Sequence, residues 1–326
     1  MKQKNEVNED EIRKTILKVV AFILFILISI GSLAFYEHGL IRRKKDVNDT
    51  LKVYTYNQCN NVNSWIDRAK EPIETVKTYI ESGNIKCTRT LQNLLDYSKR
   101  EFNNYQGGVY IGSSNNEFFK GAGSNKTLKE NVSDEYWYKE GITRVSVNLG
   151  NIHKDSNGNL IVSATGIVND DDNTNTKVIG ADILISTINA EIDDKYVNPN
   201  FNTIVVDREG TIIASKDEGI IGKSLYETNN KILSLCADKI KLKSYTAFTI
   251  DNTSIDFSVT KNDEWVVISY VSQKDINMEY KIIFIKILLI LIIVSIISLY
   301  ILNVIIKSIC SDFKIVKNNK KREEKQ

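Results

Sequence analysis

The sequence predicts an α+β protein in which two transmembrane helices flank a large external domain that begins with a long helix. Three features predict it: two uncharged apolar runs near the chain ends, lysine and arginine gathered outside those runs, and between them a heptad stripe followed by short strands and polar turns. The 326 residues have a mean hydropathy below zero, so the apolar residues are concentrated rather than plentiful.

Val19 to Tyr36 (VVAFILFILISIGSLAFY) is a run of about 18 uncharged residues, and Ile16, Leu17 and a snorkelling Lys18 bring it to bilayer-spanning length. The predicted first span is 16–36. A cleaved signal peptide is the alternative, because Ser32-Leu33-Ala34 has the small-x-small form of a cleavage site. The apolar stretch exceeds the roughly 7 to 15 residues of such signals, which favours an anchor. Ile287 to Ile306 forms the second run, and with Ile282 to Ile285 ahead of it the predicted second span is 282–306.

Basic residues near the membrane set orientation. Lys2, Lys4, Arg13, Lys14 and Lys18 precede the first span, and Lys307, Lys314, Lys317, Lys320, Lys321, Arg322 and Lys325 follow the second. This places residues 1–15 and the basic tail 307–326 in the cytoplasm, with the tail resting on the anionic inner leaflet. Arg42, Arg43, Lys44 and Lys45 lie beyond the first span and weigh against this orientation without reversing it. Residues 37–281, about 245 in all, are then external, enough for one large domain or two small ones.

A formal net charge of +2 argues against a nucleic-acid role, since basic residues are matched by acids throughout rather than gathered in a stripe. Cys59, Cys87 and Cys236 are external and Cys310 lies just inside the membrane. Their irregular spacing makes a poor disulfide framework, with Cys59 to Cys87 the one pairing close in sequence.

The external domain opens with a helix over Val47 to Ile80. Val62, Ile66, Ala69, Ile73, Val76 and Ile80 recur at spacings of four and three, a heptad seam that packs on its own domain or also pairs with a second copy. Pro72 inside it is expected to kink or restart the helix. A second helix covers Thr88 to Phe102. Beyond Gly107-Gly108 the pattern turns to strands: Val109 to Gly112, a turn at Ser113 to Asn116, then Thr143 to Ile152 and Asn159 to Val168 flanking Asn157-Gly158, a strong hairpin signal. Asp170 to Thr176 is a polar turn into Val178 to Ile185. A helix over Thr187 to Val197 leads past Pro199 to a second strand group: Thr203 to Val206, Thr211 to Ala214, Tyr245 to Ile250, Ser254 to Thr260 and Trp265 to Val271, with a helix over Lys231 to Lys241. The order describes two α+β units in series, about 105–190 distal and about 200–275 proximal to the membrane.

Three segments of the first unit carry a family resemblance: Val109-Tyr110-Ile111-Gly112, Asp134-Glu135-Tyr136-Trp137-Tyr138-Lys139 and Val178-Ile179-Gly180-Ala181-Asp182-Ile183. In the second unit the carriers are Ile204-Val205-Val206-Asp207 with Gly210, Ile221-Gly222-Lys223-Ser224-Leu225 and Trp265-Val266-Val267. In their order and spacing these segments resemble the double Cache (PAS-like) sensor domains of bacterial chemoreceptors, sensor kinases and diguanylate cyclases, over nearly the whole external region. The resemblance implies a ligand pocket in the distal unit lined by Trp137, Tyr138 and Asp182. Amino-acid-binding members carry an Arg two positions before the Trp, which clamps a carboxylate; Glu135 stands there in this chain. The remaining groups suit a cation, with Trp137, Tyr138 and Tyr110 offering aromatic faces and Asp182 accepting hydrogen bonds, so an amine is the expected ligand class. Glu135 adds a second acceptor or points into solvent. The competing reading makes Tyr136, Trp137 and Tyr138 core filling and Asp182 a strand-end cap.

Catalytic and metal-binding patterns are missing, so the chain is not expected to be an enzyme and no cofactor is expected. His38 and His153 are too few for a histidine-rich metal site, and His153 is expected in a loop. Asp170, Asp171 and Asp172, or Asp155 with Asn157, could hold calcium, but each group lies in a turn that favours these residue types anyway. No output domain follows the second span, so the chain is expected to relay a ligand-driven shift to a partner, to act as a binding-only decoy or to be a truncated receptor. Its partners would be an amine or amino-acid-like small molecule, the membrane, and a second chain in a homodimer or in a mixed dimer with a full-length receptor. The alternative function is a structural or surface protein that has kept the fold and lost the ligand.

Overall fold

The computed structural model describes residues 9–323 apart from 86, 102–104, 123–127, 129–130, 156, 170–174, 193–199 and 262. The aspartates 170–172 and Pro199 therefore lie outside the described residues, as does the end of the helix expected over Thr187 to Val197. The chain divides into two compact units, Asn48–Ser272 and the pair of terminal segments Met1–Val47 with Gln273–Gln326.

In the terminal unit, two helices are long and apolar enough to cross a membrane. They belong to α1 (Glu9–Tyr79) and α6 (Gln273–Glu323). Tyr280 of α6 stacks on Tyr36 at 5.8 Å, lies under the Arg43 guanidinium at 5.9 Å, and donates its hydroxyl to the Phe35 carbonyl at 3.4 Å. Gly39 makes this approach possible, since a Cβ there would lie 1.8 Å from the Tyr280 hydroxyl.

The other unit begins with the rest of α1. Its predicted stripe is buried: Val62, Ile66, Ile73, Val76 and Ile80 join one core with Ala69 packed beside them. The stripe thus packs on its own domain. Pro72 neither ends nor restarts the helix. It sits on a partly exposed flank between buried turns, where packing on both sides outweighs one missing amide donor. The helix closes in a π turn over Ile80–Asn84, with Gly83 at φ 74°, and α2 (Thr88–Glu101) follows.

The first of two sheets, labelled distal and the other proximal after the order expected from the sequence, contains β1 (Tyr105–Ser113), β2 (Phe118–Lys120), β3 (Asn148–Lys154), β4 (Leu160–Val168) and β5 (Lys177–Leu184), in the antiparallel order β2-β1-β5-β4-β3. Between β2 and β3 lies α3 (Tyr136–Gly141), and α4 (Ser186–Ile192) leaves the sheet. The proximal sheet contains β6 (Phe201–Asp207), β7 (Ile212–Ser215), β8 (Phe248–Ile250), β9 (Thr253–Val259) and β10 (Trp265–Ser272), with α5 (Lys231–Lys241) between β7 and β8. Its order, β7-β6-β10-β9-β8, repeats that of the distal sheet.

The Asn157-Gly158 hairpin forms as predicted, Lys154 opposite Leu160 and Gly158 at φ 85°, with Asp155 Oδ1 accepting from the Asn157 and Asn159 amides. Thr143 to Val147 is not strand. The end of α3 runs into successive turns that bond Thr143 N to Glu140 O and Arg144 N to Gly141 O, so pairing starts at Asn148. His153 is on β3 rather than in a loop, its ring 5.9 Å from that of Tyr136. Cys59 and Cys87 are unbridged. Cys59 is buried with its thiol 3.4 Å from the Val259 carbonyl, while Cys87 lies past the far end of α1, about 30 Å further along at 1.5 Å per residue.

One core cluster joins the α1 stripe to Val109, Ile111, Ile179 and Ala181 of the distal sheet and to Val205, Trp265 and Val267 of the proximal one. Trp65 of α1 stacks on Trp265 at 5.9 Å. Polar side chains add fixed points: Lys70 Nζ donates to Asn148 Oδ1 at 3.2 Å, and Asn148 Nδ2 donates to Glu264 Oε1 at 3.1 Å. Ile73 is fully buried in this cluster, and Ile73→Ala should lower stability by about 2–5 kcal/mol. Denaturant unfolding of the full chain in nanodiscs, followed by tryptophan fluorescence, would measure it.

Candidate ligand-binding site

Strand alternation gives the distal sheet two different faces. Val109, Ile111, Ile179, Ala181, Val162 and Ala164 face α1 and belong to the main core. The intervening residues, Tyr110, Gly112, Val178, Gly180, Asp182, Ser163 and Thr165, therefore face the other way. Register brings them together, with Tyr110 opposite Gly180, and Ser163 opposite Asp182. A separate cluster covers this face: Tyr110, Val132, Trp137, Tyr138 and Val178, with Phe118 and Leu128 packed against it.

Helix α3 supplies the aromatic roof. Glu135 is its N-cap residue in extended backbone, and the next turn points Trp137 and Tyr138 inward, where they are 2% and 3% exposed. The Trp137 ring meets Tyr110 edge-on at 4.8 Å and Tyr138 edge-on at 5.8 Å, arrangements that align positive ring edges with negative faces. Tyr138 donates its hydroxyl to the Thr176 carbonyl at 2.8 Å. Two glycines permit this packing. A Cβ on Gly112 would lie 2.7 Å from Trp137 Cη2, and one on Gly180 would lie 2.9 Å from Tyr110 Cε2.

Asp182 lies beside Tyr110 on this face at 6% exposure. Its Oδ1 accepts two hydroxyl hydrogen bonds of 2.7 Å, from Tyr110 and from Ser163. Burial pushes the Tyr110 phenol well above its ordinary pKa, the charge of Asp182 raises it further, and Glu135 adds in the same direction. Glu135 is half-buried at the margin of the cluster.

Tyr110, Trp137, Tyr138 and Asp182 thus form one contiguous group, with Glu135 at its edge. Tyr136 is not core filling: it is 47% exposed and accepts from Asn151 Nδ2 at 3.0 Å. Ser163 was not singled out from the sequence. Alternation within the strand places it on one face, but its meeting with Asp182 depends on the β4–β5 register, which no local pattern specifies. Among the described residues, no group of three or more His, Cys, Asp and Glu side chains could hold a metal ion.

Tyr110→Phe removes one donor from a buried carboxyl and should lower stability at neutral pH by about 1–3 kcal/mol. The folded pKa of Tyr110 lies above the unfolded value, so this contribution is whole below about pH 10 and is lost as pH rises beyond it. Unfolding curves measured from neutral to alkaline pH should show a shallower alkaline decline in Tyr110→Phe than in the wild type.

No protein-family model and no curated protein matches the sequence. Solved structures do. The chain is similar to the ligand-binding domain of the Pseudomonas aeruginosa amino acid chemoreceptor PctB in complex with L-Arg, at 15% identity and a TM-score of 0.56, covering 71% of this chain and 97% of that one. It is similar to the ligand-binding domain of the Pseudomonas fluorescens chemoreceptor CtaA in complex with L-isoleucine, at 17% identity and a TM-score of 0.58, covering 76% and 99%. A third likeness is to the ligand-binding domain of the P. aeruginosa amino acid chemoreceptor PctC in complex with GABA, at 15% identity and a TM-score of 0.54, covering 68% and 98%. With two sheets of identical strand order behind one long helix, the region from Asn48 to Ser272 has the double Cache fold.

Proposed function

We propose that this protein is a membrane-anchored sensor that binds a small amine outside the cell through Asp182, Tyr110, Trp137 and Tyr138, with Glu135 at the entrance. The observation that carries this reading is a buried carboxyl group bonded to the hydroxyl of Tyr110, whose ring packs edge-on against Trp137, itself packed on Tyr138. An ammonium would bring its own charge to Asp182, beyond what the two neutral hydroxyl donors offer, and would meet the negative faces of the rings. The similar structures support the ligand class: L-Arg, L-isoleucine and GABA, in complex with PctB, CtaA and PctC, each carry an ammonium group. Glu135, where amino-acid-binding members place an arginine, favours an amine over a ligand held by its carboxylate. Binding requires α3 to lift from the sheet, and the differential affinity for that lifted state would drive the signal.

The anchoring part of the reading places residues 16–36 and 282–306 in the membrane, residues 37–281 outside, and residues 1–15 and 307–326 in the cytoplasm. The output would pass to a partner chain, in a homodimer or in a mixed dimer. A second reading, a ligand-free structural protein, is favoured by the near-complete burial of Tyr110, Trp137 and Tyr138, which fill the face themselves.

Thermal unfolding of the full chain in nanodiscs, with a panel of amines, amino acids, carboxylates and purines, distinguishes the two. An amine at about 100 times its Kd should stabilise the native state by about 2.7 kcal/mol, and Asp182→Asn, which keeps the hydroxyl acceptor and removes the charge, should abolish the shift. A response to carboxylates lacking an ammonium would overturn the ligand class, and no response across the panel would favour the structural reading. For topology, a membrane-impermeant maleimide applied to intact cells should label exposed Cys87 and leave Cys310 unlabelled; the reverse pattern would invert the orientation.

A further inference from the structure

The distal sheet has a cavity on the face opposite the aromatic cluster. It is a cleft of about 530 Å³ between the π turn, the start of α2 and the ends of β1, β2, β4 and β5. Its place on the reverse face follows from its walls. Ile80, Ile111 and Val168 belong to the main core shared with α1, and Ile85, Leu91 and Phe119 pack against that core. The aromatic cluster contains none of these six side chains.

The volume falls within the about 300–1,000 Å³ typical of small-molecule pockets. Ile85, Leu91 and Phe119 are only half-buried, so their apolar surface is incompletely covered by the protein. An occupant would complete that burial, at roughly 25 cal/mol for each Å² removed from water.

Polar groups sit at the mouth and select the head group. Cys87 and Thr88 open the 14-residue α2, whose positive dipole end favours an anion. Lys177, half-buried at the start of β5, also lines the cleft. Glu117 lines it too, but is exposed, so solvent screens its charge more strongly. Two features favour an anion, one of them half-buried, and one exposed feature opposes it.

We propose that this cleft is a second small-molecule site for a compact monocarboxylate, its aliphatic or aromatic body against Leu91, Ile111 and Phe119 and its carboxylate at Lys177 and the start of α2. The site is separate from Asp182 and opposite in charge preference.

Cys87 supplies the readout. It is exposed at the mouth, and the Thr90 hydroxyl, 3.3 Å from its sulfur, lowers the thiol pKa, with the Thr90 amide acting in the same direction. In the full chain in nanodiscs, the rate of Cys87 alkylation by iodoacetamide would be followed by peptide mass mapping with hexanoate, phenylacetate or uncharged hexanamide present. Hexanoate and phenylacetate at about ten times their Kd leave about one site in eleven open and should slow alkylation about tenfold. Hexanamide should protect less. Lys177→Met should remove the advantage of the acids over the amide, and Leu91→Trp, which fills the cleft, should abolish protection by all three. Asp182→Asn should leave protection unchanged, which separates this site from the amine site. Lys177→Met keeps the test decisive if Leu91→Trp does not fold. Absence of protection by either acid in the wild type would overturn the proposal, as would equal protection by hexanamide or protection that persists in both cleft variants.

Discussion

Both sheets of the Asn48–Ser272 unit close against one apolar stripe of α1, and that shared burial organises everything else in the unit. Val62, Ile66, Ile73, Val76 and Ile80 lie in a single cluster with residues of β1, β4, β5, β6, β7 and β10. Each such aliphatic side chain contributes about 1.5–3 kcal/mol when removed from water, so the stripe favours the helix strongly enough to carry Pro72 without a break. The stacking of Trp65 on Trp265 extends the same contact to the start of β10. Repetition of one strand order in both sheets follows from the same arrangement: each unit offers one apolar face to the helix and keeps its other face for separate use.

That division of faces places polar chemistry where α1 does not reach. On the free face of the distal sheet, Asp182 is buried with hydroxyl donors from two neighbouring strands. A buried carboxyl is tolerable only with such partners, and its burial strengthens each of these interactions. Glycines at 112 and 180 let those rings sit directly on the sheet. The free face of the proximal sheet is occupied differently: α5 packs Leu233, Cys236, Ala237 and Ile240 over Ile204, Val206 and Ile268, an apolar cover in which burial pushes the Cys236 thiol up to about 12. The same topology therefore carries a polar, aromatic face in one unit and an apolar one in the other.

Polar contacts link the two sheets inside the Asn48–Ser272 unit. Arg144, just after α3, donates to the Asn148 carbonyl and to Thr165 Oγ1, both at 3.2 Å. Asn148 in turn reaches Glu264, which precedes β10. Burial raises the Glu264 carboxyl, and the nearby Arg144, Lys70 and Arg208 charges pull the other way. The helix that carries Trp137 and Tyr138 is thus tied through a few side chains to the strand that leads into α6.

The sequence by itself determined what depends on local pattern. Apolar runs marked two helices able to cross a membrane, heptad spacing marked the α1 stripe, Asn157-Gly158 marked a hairpin, and Lys231 to Lys241 marked α5, because periodicity and turn chemistry are properties of adjacent residues. Trp137, Tyr138, Asp182 and Tyr110 were legible as a group through family resemblance rather than through spacing. Tertiary structure alone decided the rest. Whether Pro72 breaks the helix depended on packing to either side of it. Thr143 to Val147 read as strand, but the turns that end α3 took its backbone hydrogen bonds. Ser163 became a partner of Asp182 through strand register, and Cys59 and Cys87 stayed apart because about five turns of α1 separate them. The long-range pairings that bring distant residues onto one face leave no trace in the order of neighbours along the chain.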